Sequence, residues 1–390
     1  MSQTEEKREG FYLSEDGEWI PDGWVEFTLV DLVVLQRGFD LPAKNRVVGG
    51  FPLITASGQD GTHNEGKVKA PGVVTGRSGT IGQVFLINND FWPLNTTLWV
   101  KDFKGNDVIF CYYFLKRFPF SRFNSGSGVP TLNRNHIHPH SIAKPPLPEQ
   151  KAIASVLGSL DDKIELLREQ NKTLEALAQT LFKRWFIDFN FPDENGNPYK
   201  DSGGTMIPSE LGEIPEGWSI TDVRNILSRS KSPRNYTKEE LTPKGEIPVY
   251  EQGQSILLGF HDNPPCFEAN IESPMFIFGD HTCITKLIVT PFSLSSNVIP
   301  FKGKDLDTVW TYFAIHKLQK FIEYRRHWME LADKKLVTPH DGLDSKYSQL
   351  VSPLIEKLSL KEIQIQTLTH LRDTLLPKLM KGEIRIPIEK

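Results

Sequence analysis

With 390 residues, 38% of them apolar and 24% charged, the chain has room for two or three domains with real cores and lacks the composition of a disordered or fibrous protein. A net charge of −4 argues weakly against an autonomous nucleic-acid binder, no apolar run approaches the length of a membrane span, and the polar start MSQTEEKREG carries no secretion signal. Three scattered cysteines, Cys111, Cys266 and Cys283, offer no disulfide framework and suit a reducing, cytoplasmic setting.

Residues 1–19 read as an N-terminal extension. IPDGW, Ile20–Trp24, then opens a globular unit over 20–147, whose short β-branched and aromatic runs, GVVTG and QVFLI among them, are broken by Gly, Pro, Asn and Asp. A helix over Asp107–Arg117 makes this unit mixed α/β. A long helix, from about Glu149 to Phe186, occupies segment 148–187, and the turn-forming text DFNFPDENGNPYKDSGG begins a linker over 188–213. IPEGW, Ile214–Trp218, opens a second unit over 214–347, with the strand-like runs MFIF and KLIV and a helix over Asp307–Tyr324. A second long helix fills 348–381, with Pro353 expected in its first turn, and 382–390 form a tail.

The two halves are one module written twice. IPDGW and IPEGW lie 194 residues apart, and the same offset carries TLEALAQTLFKRWF (Thr173–Phe186) onto TLTHLRDTLLPKLM (Thr367–Met380). That offset far exceeds the period of about 20–50 residues of a solenoid, so a whole unit has been duplicated. In the first long helix the apolar positions alternate by four and three: Ile153, Leu157, Leu160, Ile164, Leu167, Asn171, Leu174, Ala178, Leu181 and Trp185. This is a heptad seam, in which a lone Asn171 would fix register. The offset gives a second seam that includes Leu354, Leu358, Ile365, Leu368 and Leu375, weakened by Lys361 and Arg372. Each helix could pack on its own unit alone, but seams this long suit better a pair of helices holding two related units apart. Such a helix of roughly 32 steps spans about 48 Å. Double-helical DNA, whose groove repeats every ~34–36 Å, is a target with two similar sites at a fixed distance.

Charge divides unevenly between the halves. Phe27–Pro145 holds 13 Lys/Arg against 7 Asp/Glu, a balance of +6, with His63, His136, His138 and His140 besides, whereas Ser219–Lys346 holds 16 of each. Positive charge in the second unit is local, in RNILSRSKSPRNYTK (Arg224–Lys238) and KLQKFIEYRR (Lys317–Arg326). Interleaved Asn, Ser, Tyr and Gln suit phosphates and base edges.

Motifs of catalysis are not convincing. TGRSGTIG (Thr75–Gly82) lacks the Lys-Ser/Thr ending of a P-loop and reads equally well as a tight turn. NPPC (Asn263–Cys266) ends without the ring that would stack on a flipped base, and no glycine motif for S-adenosylmethionine accompanies it. HIHPH (His136–His140) would align three imidazoles on one face of a strand, but no cysteine or paired carboxylate stands near, so a turn is the better reading. PDENG (Pro192–Gly196) lacks the alternating ligands of a calcium loop, and DDK (Asp161–Lys163) and DKK (Asp333–Lys335) are too common to mark a nuclease. No catalytic residue and no metal site is assigned.

Over essentially its whole length the chain resembles the specificity (S) subunits of Type I restriction-modification systems. The resemblance rests on IPDGW and IPEGW, on PLPEQKAIASVLGSLDDKIELLREQNKTLEALAQTLFKRWF, on the linker text, and on QIQTLTHLRDTLLPKLMKGEI. It implies two tandem, mixed α/β target recognition domains with two long helices in an antiparallel coiled coil. It implies a non-catalytic reader of a bipartite site in double-stranded DNA, with two methyltransferase (M) subunits and restriction (R) subunits as partners. Adenine methylation from S-adenosylmethionine, and cleavage using ATP and Mg, then belong to those partners, and this chain binds no cofactor. One departure stands out: where PLPEQ is due, the second half reads DGLDSKYSQLVSPLIEK. Candidate DNA contacts are Arg77, Arg122, Asn124 and Arg134 in the first unit, and Arg234, Asn235, Lys286, Arg325 and Arg326 in the second, since Arg and Asn are the best readers of guanine and adenine edges. A coiled-coil scaffold for other proteins and a stand-alone DNA-modifying enzyme are the alternatives.

Overall fold

A computed structural model describes residues 9–387 apart from 15, 16, 18 and 254; residues 1–8 of the expected extension and 388–390 of the tail lie outside the described residues. Contacts divide the chain into two units, Met1–Glu165 with Thr367–Lys390, and Leu166–Gln366. Among the described residues, no helix is long and apolar enough to cross a membrane.

Each unit is built on one repeat, and the two repeats share one topology. In the first, an antiparallel sheet has the order Val34–Arg37, Thr97–Asp102, Gly72–Gly76, Val84–Ile87. Its counterpart in the second runs Leu227–Arg229, Val298–Gly303, Met275–Gly279, Thr285–Ile288. The inner strands Gly72–Gly76 and Met275–Gly279 are buried at every residue, which is why GVVTG and MFIFG read as unbroken runs rather than alternating ones. A three-stranded sheet also recurs, Gly58–His63 beside Phe51–Thr55 and Trp92–Pro93, and Leu257–His261 beside Ile247–Tyr250 and Ser293–Leu294. Expected extension and linker residues contribute to matching hairpins, Phe11–Leu13 with Trp19–Pro21 and Met206–Ser209 with Gly212–Pro215.

A short helix packs on each main sheet, Val108–Arg117 in the first repeat and Thr308–Ile315 in the second. Each opens with an aspartate N-cap: Asp107 accepts from Phe110 N, and Asp307 from Val309 N. The second helix does not reach Tyr324. It ends where Lys317 adopts φ +61°, and the chain then turns toward two buried polar anchors described below.

The long helices run Leu147–Phe182, followed by a π-turn over Lys183–Ile187, and Leu343–Met380. The second begins ten residues before Pro353, contrary to the expectation that this proline marks its first turn. Proline inside a helix costs about 3 kcal/mol, but burying one large apolar side chain returns about 1.5–3. Leu343, Tyr347, Val351 and Ile355 are all buried around it. The missing PLPEQ is replaced in kind. Gln150 Oε1 accepts the backbone N–H of Asp107 at 3.0 Å in the first repeat, and Asp344 Oδ2, at the equivalent position, accepts that of Asp307 at 2.7 Å in the second. Both helix starts are thus tied to the capping residue of the short helix by different side chains.

Pairing of the long helices is antiparallel. In the first unit, Ile153, Ala154 and Leu157 share a core with Leu376, Leu379 and Met380. In the second, Ala178, Phe182, Trp185 and Phe186 share a core with Leu343, Tyr347, Val351 and Ile355, and the Tyr347 hydroxyl donates to the Ala178 carbonyl at 3.0 Å. Of the seam residues, Ile153, Leu157, Ile164 and Leu167 are buried, and Leu160, Asn171, Leu174, Leu181, Leu354, Leu358, Ile365, Leu368 and Leu375 are half-buried. Lys361 and Arg372 do not interrupt the pairing: Lys361 donates to Gln170, and Arg372 pairs with Asp161 at 2.5 Å. Asp161, from the DDK fragment, also accepts the Tyr113 hydroxyl at 2.6 Å, a structural use of that carboxylate.

The duplicated tryptophans show why the chain leaving each helix matters. Trp218 is stacked by Phe191 of the linker, itself stacked on Tyr199, so this Gly- and Asn-rich text is an ordered turn. PDENG closes it, with Asp193 accepting from Asn195 N and Asn197 N. Trp24 is covered by the chain leaving the second helix. Gly382, at φ +63°, is closed in by Pro21 and Trp24, and buried Glu149 accepts from Trp24 Nε1 at 3.2 Å and from Arg385 at 2.5 and 2.7 Å.

Asp344→Ala leaves a part-buried N–H unanswered and is expected to destabilise the second unit by about 1 kcal/mol, as Gln150→Ala does the first. Urea unfolding followed by amide exchange checks this: faster exchange at Asp307 for the first variant and at Asp107 for the second is expected.

Candidate nucleic-acid interface

In the first repeat the glycine-rich text TGRSGTIG is a turn between the strands Gly72–Gly76 and Val84–Ile87, with Gly79 and Gly82 at positive φ. Arg77 follows the buried strand directly. Its N–H bonds to the Thr96 carbonyl at 2.8 Å, and its own carbonyl accepts from Leu132 N at 2.8 Å, which lays the loop 124–132 along the turn. Asn124 folds that loop, its Oδ1 accepting from Gly126 N and Thr131 N at 3.0 and 2.9 Å. The half-buried Arg77 side chain donates from Nε to the Asn95 carbonyl at 3.3 Å. Burial, then the neighbouring Arg37 charge, lower its pKa against the opposing pull of Asp40. Beside the turn opens a groove of about 580 Å³ whose lining, including Asp40, Arg46, Gln59, Ser78 and Asn95, mixes donors and acceptors.

Arg134 stands exposed in a helical turn, Arg134–Ile137, with Nη1 at 3.5 Å from the Leu35 carbonyl. HIHPH therefore does not line one face of a strand. His138 Nε2 accepts from Leu35 N at 3.0 Å, with its pKa lowered by burial and then by Arg134, while His140 sits edge-on to Phe118 and Phe123. Arg122 is exposed in the short turn Phe120–Phe123. Among the described residues, no group of three or more His, Cys, Asp or Glu is placed to hold a metal ion.

The second repeat fills the same place with opposite charge. FIFGD superposes on VVTGR by strand register, so Asp280 occupies the position of Arg77. Its N–H bonds to the Asn297 carbonyl at 3.0 Å, and its carbonyl accepts from His327 N at 2.7 Å, repeating the Arg77 pattern. The Asp280 carboxylate then does what no arginine could: Oδ1 accepts from His327 N and Trp328 N at 3.2 and 3.0 Å, and Oδ2 lies 3.6 Å from Arg326 Nε. Asp280 is not among the residues nominated from sequence.

The other candidates of the second repeat are dispersed. Arg325 is paired with Glu323 at 3.1 Å and Glu330 at 2.6 Å. Arg234 pairs with Glu240 at 2.5 Å, which raises its pKa, and its guanidinium lies 4.5 Å from the centre of the Tyr236 ring. Asn235 bridges through its backbone to Leu294. Lys286 points to the second long helix, where its ammonium holds both oxygens of Glu362 at 2.7 and 2.8 Å with 19% of its side chain exposed. Cys266 of NPPC is fixed by Ser293, which accepts its N–H at 3.0 Å.

Residues 21–176 match the family model described as Type I restriction modification DNA specificity domain. The Type I restriction enzyme MjaIX specificity subunit of Methanocaldococcus jannaschii is 27% identical over 340 residues, 78% of this chain and 76% of the relative. The Type I restriction enzyme HindI specificity subunit of Haemophilus influenzae is 23% identical over 335 residues, 67% of this chain and 72% of the relative. In fold, the crystal structure of a Type I restriction-modification system S subunit from M. genitalium matches with a TM-score of 0.61 at 18% identity, covering 91% of this chain and 96% of the other. The chain is thus similar along most of its length to specificity subunits of Type I restriction enzymes, and its first repeat and long helix match the family model of the DNA specificity domain.

Proposed function

We propose that this chain is the subunit that gives a Type I restriction-modification complex its DNA sequence preference, each repeat reading one half of a bipartite site. The observation that carries the reading is the pair of topologically identical recognition units joined by two antiparallel helices, together with the specificity-domain match over the first. Length of the helix pair sets the gap between half-sites, and its outer surface receives the methyltransferase and restriction subunits. The chain itself is non-catalytic and cytoplasmic. S-adenosylmethionine, ATP and Mg act on the partner subunits. A protein-binding scaffold would not call for the +6 balance of Phe27–Pro145.

Genome-wide mapping of methylated adenines, in a host expressing this chain with its methyltransferase partner, tests the reading. A split motif that appears only when both proteins are present is expected. No new motif, from proteins shown to fold and associate, contradicts it and favours the scaffold. Two basic residues then separate by role. Arg122→Ala is expected to weaken binding to all sequences alike and reduce the salt slope by about 1. Lys286→Ala is expected to leave DNA affinity intact and lower stability by about 1 kcal/mol, since the pair is part-buried, with Glu362 still facing water. Salt-titrated DNA binding and denaturant melts measure both.

A further inference from the structure

Between the short helix and the strand Lys335–Thr338, the second repeat presents a loop with an unusual surface. Lys320–Arg326 are exposed at seven consecutive positions, between Gln319 at 7% exposure and His327 at 0%. At the tip stand Phe321, 54% exposed, Ile322, 68%, and Tyr324, 76%. Three cations, Lys320, Arg325 and Arg326, share this stretch with the single acid Glu323.

The base of the loop is clamped. Gln319 Nε2 donates to Glu330 Oε2 at 2.8 Å, and the same oxygen lies 3.1 Å from His327 Nδ1. His327 Nε2 lies 2.9 Å from the Glu323 carbonyl, and Asp280 holds His327 and Trp328 from beneath. Tyr324 stacks on His281 at 4.9 Å with planes 16° apart. Apolar side chains exposed on a loop held this firmly lose little freedom when they enter another surface, which favours insertion. The corresponding loop of the first repeat, Asn124–Thr131, is Gly- and Ser-rich and offers only Val129 as a large exposed apolar side chain.

We propose that Phe321 and Ile322 form a wedge that enters a base step of double-stranded DNA in the second half-site, while Arg326 neutralises a flanking phosphate. Apolar side chains between cations match what a base step offers, a stacked apolar interior between two phosphates, and Phe and Ile are among the residues that open such steps. Arg326 is the flanking cation with 78% of its side chain exposed and no ion pair shorter than 3.6 Å among the described residues. The wedge gives a charge-neutral second unit a way to read DNA by deformability, at a step it does not address by hydrogen bonds. This inference rests on the DNA-reading role proposed above.

The test uses the full chain with its methyltransferase, on duplexes carrying 2-aminopurine at successive steps of the mapped second half-site. Increased fluorescence at one step is expected on binding. The double substitution Phe321→Ser, Ile322→Ser is expected to abolish that increase and weaken binding about tenfold, since the contacts that offset unstacking are lost. Ile322→Leu is expected to retain both, and Arg326→Ala to lower the salt slope by about 1 with sequence preference kept. An unchanged melting temperature shows that the tip variants fold. Site-specific binding without any fluorescence change, or a double variant that binds DNA normally but loses the methyltransferase, overturns the wedge and leaves the DNA-reading role standing. Absence of site-specific binding by the unaltered chain in that complex overturns both.

Discussion

Antiparallel pairing of the two long helices is the constraint on which the rest of the structure depends. Because the partner helix arrives from the other half of the chain, neither repeat completes its core from its own sequence. The first unit needs Leu376, Leu379 and Met380, and the second needs Ala178, Phe182, Trp185 and Phe186. Each duplicated tryptophan is likewise covered by chain leaving the helix of the opposite repeat, Trp218 by Phe191 and Trp24 by Gly382. One motif pair therefore implies the other: IPxGW supplies the ring, and the helix text delivers the segment that packs on it. Basic residues in the seam fit this scheme because acceptors on the facing helix, Gln170 and Asp161, satisfy them. Asn171 keeps a buried Oδ1 without a partner among the described residues, the sort of local cost that disfavours slipped registers.

Much of this was legible from periodicity. Heptad spacing is a property of the helix itself, so Ile153, Leu157, Ile164 and Leu167 are buried as their spacing suggests. The runs GVVTG and MFIF fall within strands, and QVFLI and KLIV do so apart from Gln83 and Val289, because β-branched and aromatic residues suit a buried pleat. Where the reading failed, tertiary contacts had overridden a local preference. Pro353 pointed to a helix start, yet the burial of Tyr347 and Val351 carries the helix through it. The stretch after Ile315 looked helical until Gln319 and His327, tied together through Glu330, drew it into a loop. Asp344 stands in for Gln150 by accepting the same type of N–H, an equivalence of geometry that alignment by residue type does not display.

The two repeats carry opposite charge at a point where their backbones agree. Arg77 and Asp280 share a strand register and the same pair of backbone hydrogen bonds, but one supplies a guanidinium and the other a carboxylate that anchors its own loop. A duplicated scaffold with exchanged side chains at one site is what two different half-sites require, since sequence preference resides in the groups facing the bases and not in the sheet behind them. Loop residues were hard to nominate from sequence for that reason. Exposed Arg and Asn carry no periodicity, and Lys286, equally cationic, is committed to Glu362.

The most direct test of the account lengthens the helix pair and maps the methylated sites. Seven residues inserted after Glu165 and seven after Gln366, where the two units divide, preserve the heptad register of both helices. At 1.5 Å per residue the pair grows by about 10 Å, close to three base pairs at ~3.4 Å each. The account predicts a gap longer by about three base pairs with both half-sites unchanged. A folded, active variant with the original gap, or with altered half-sites, would contradict it.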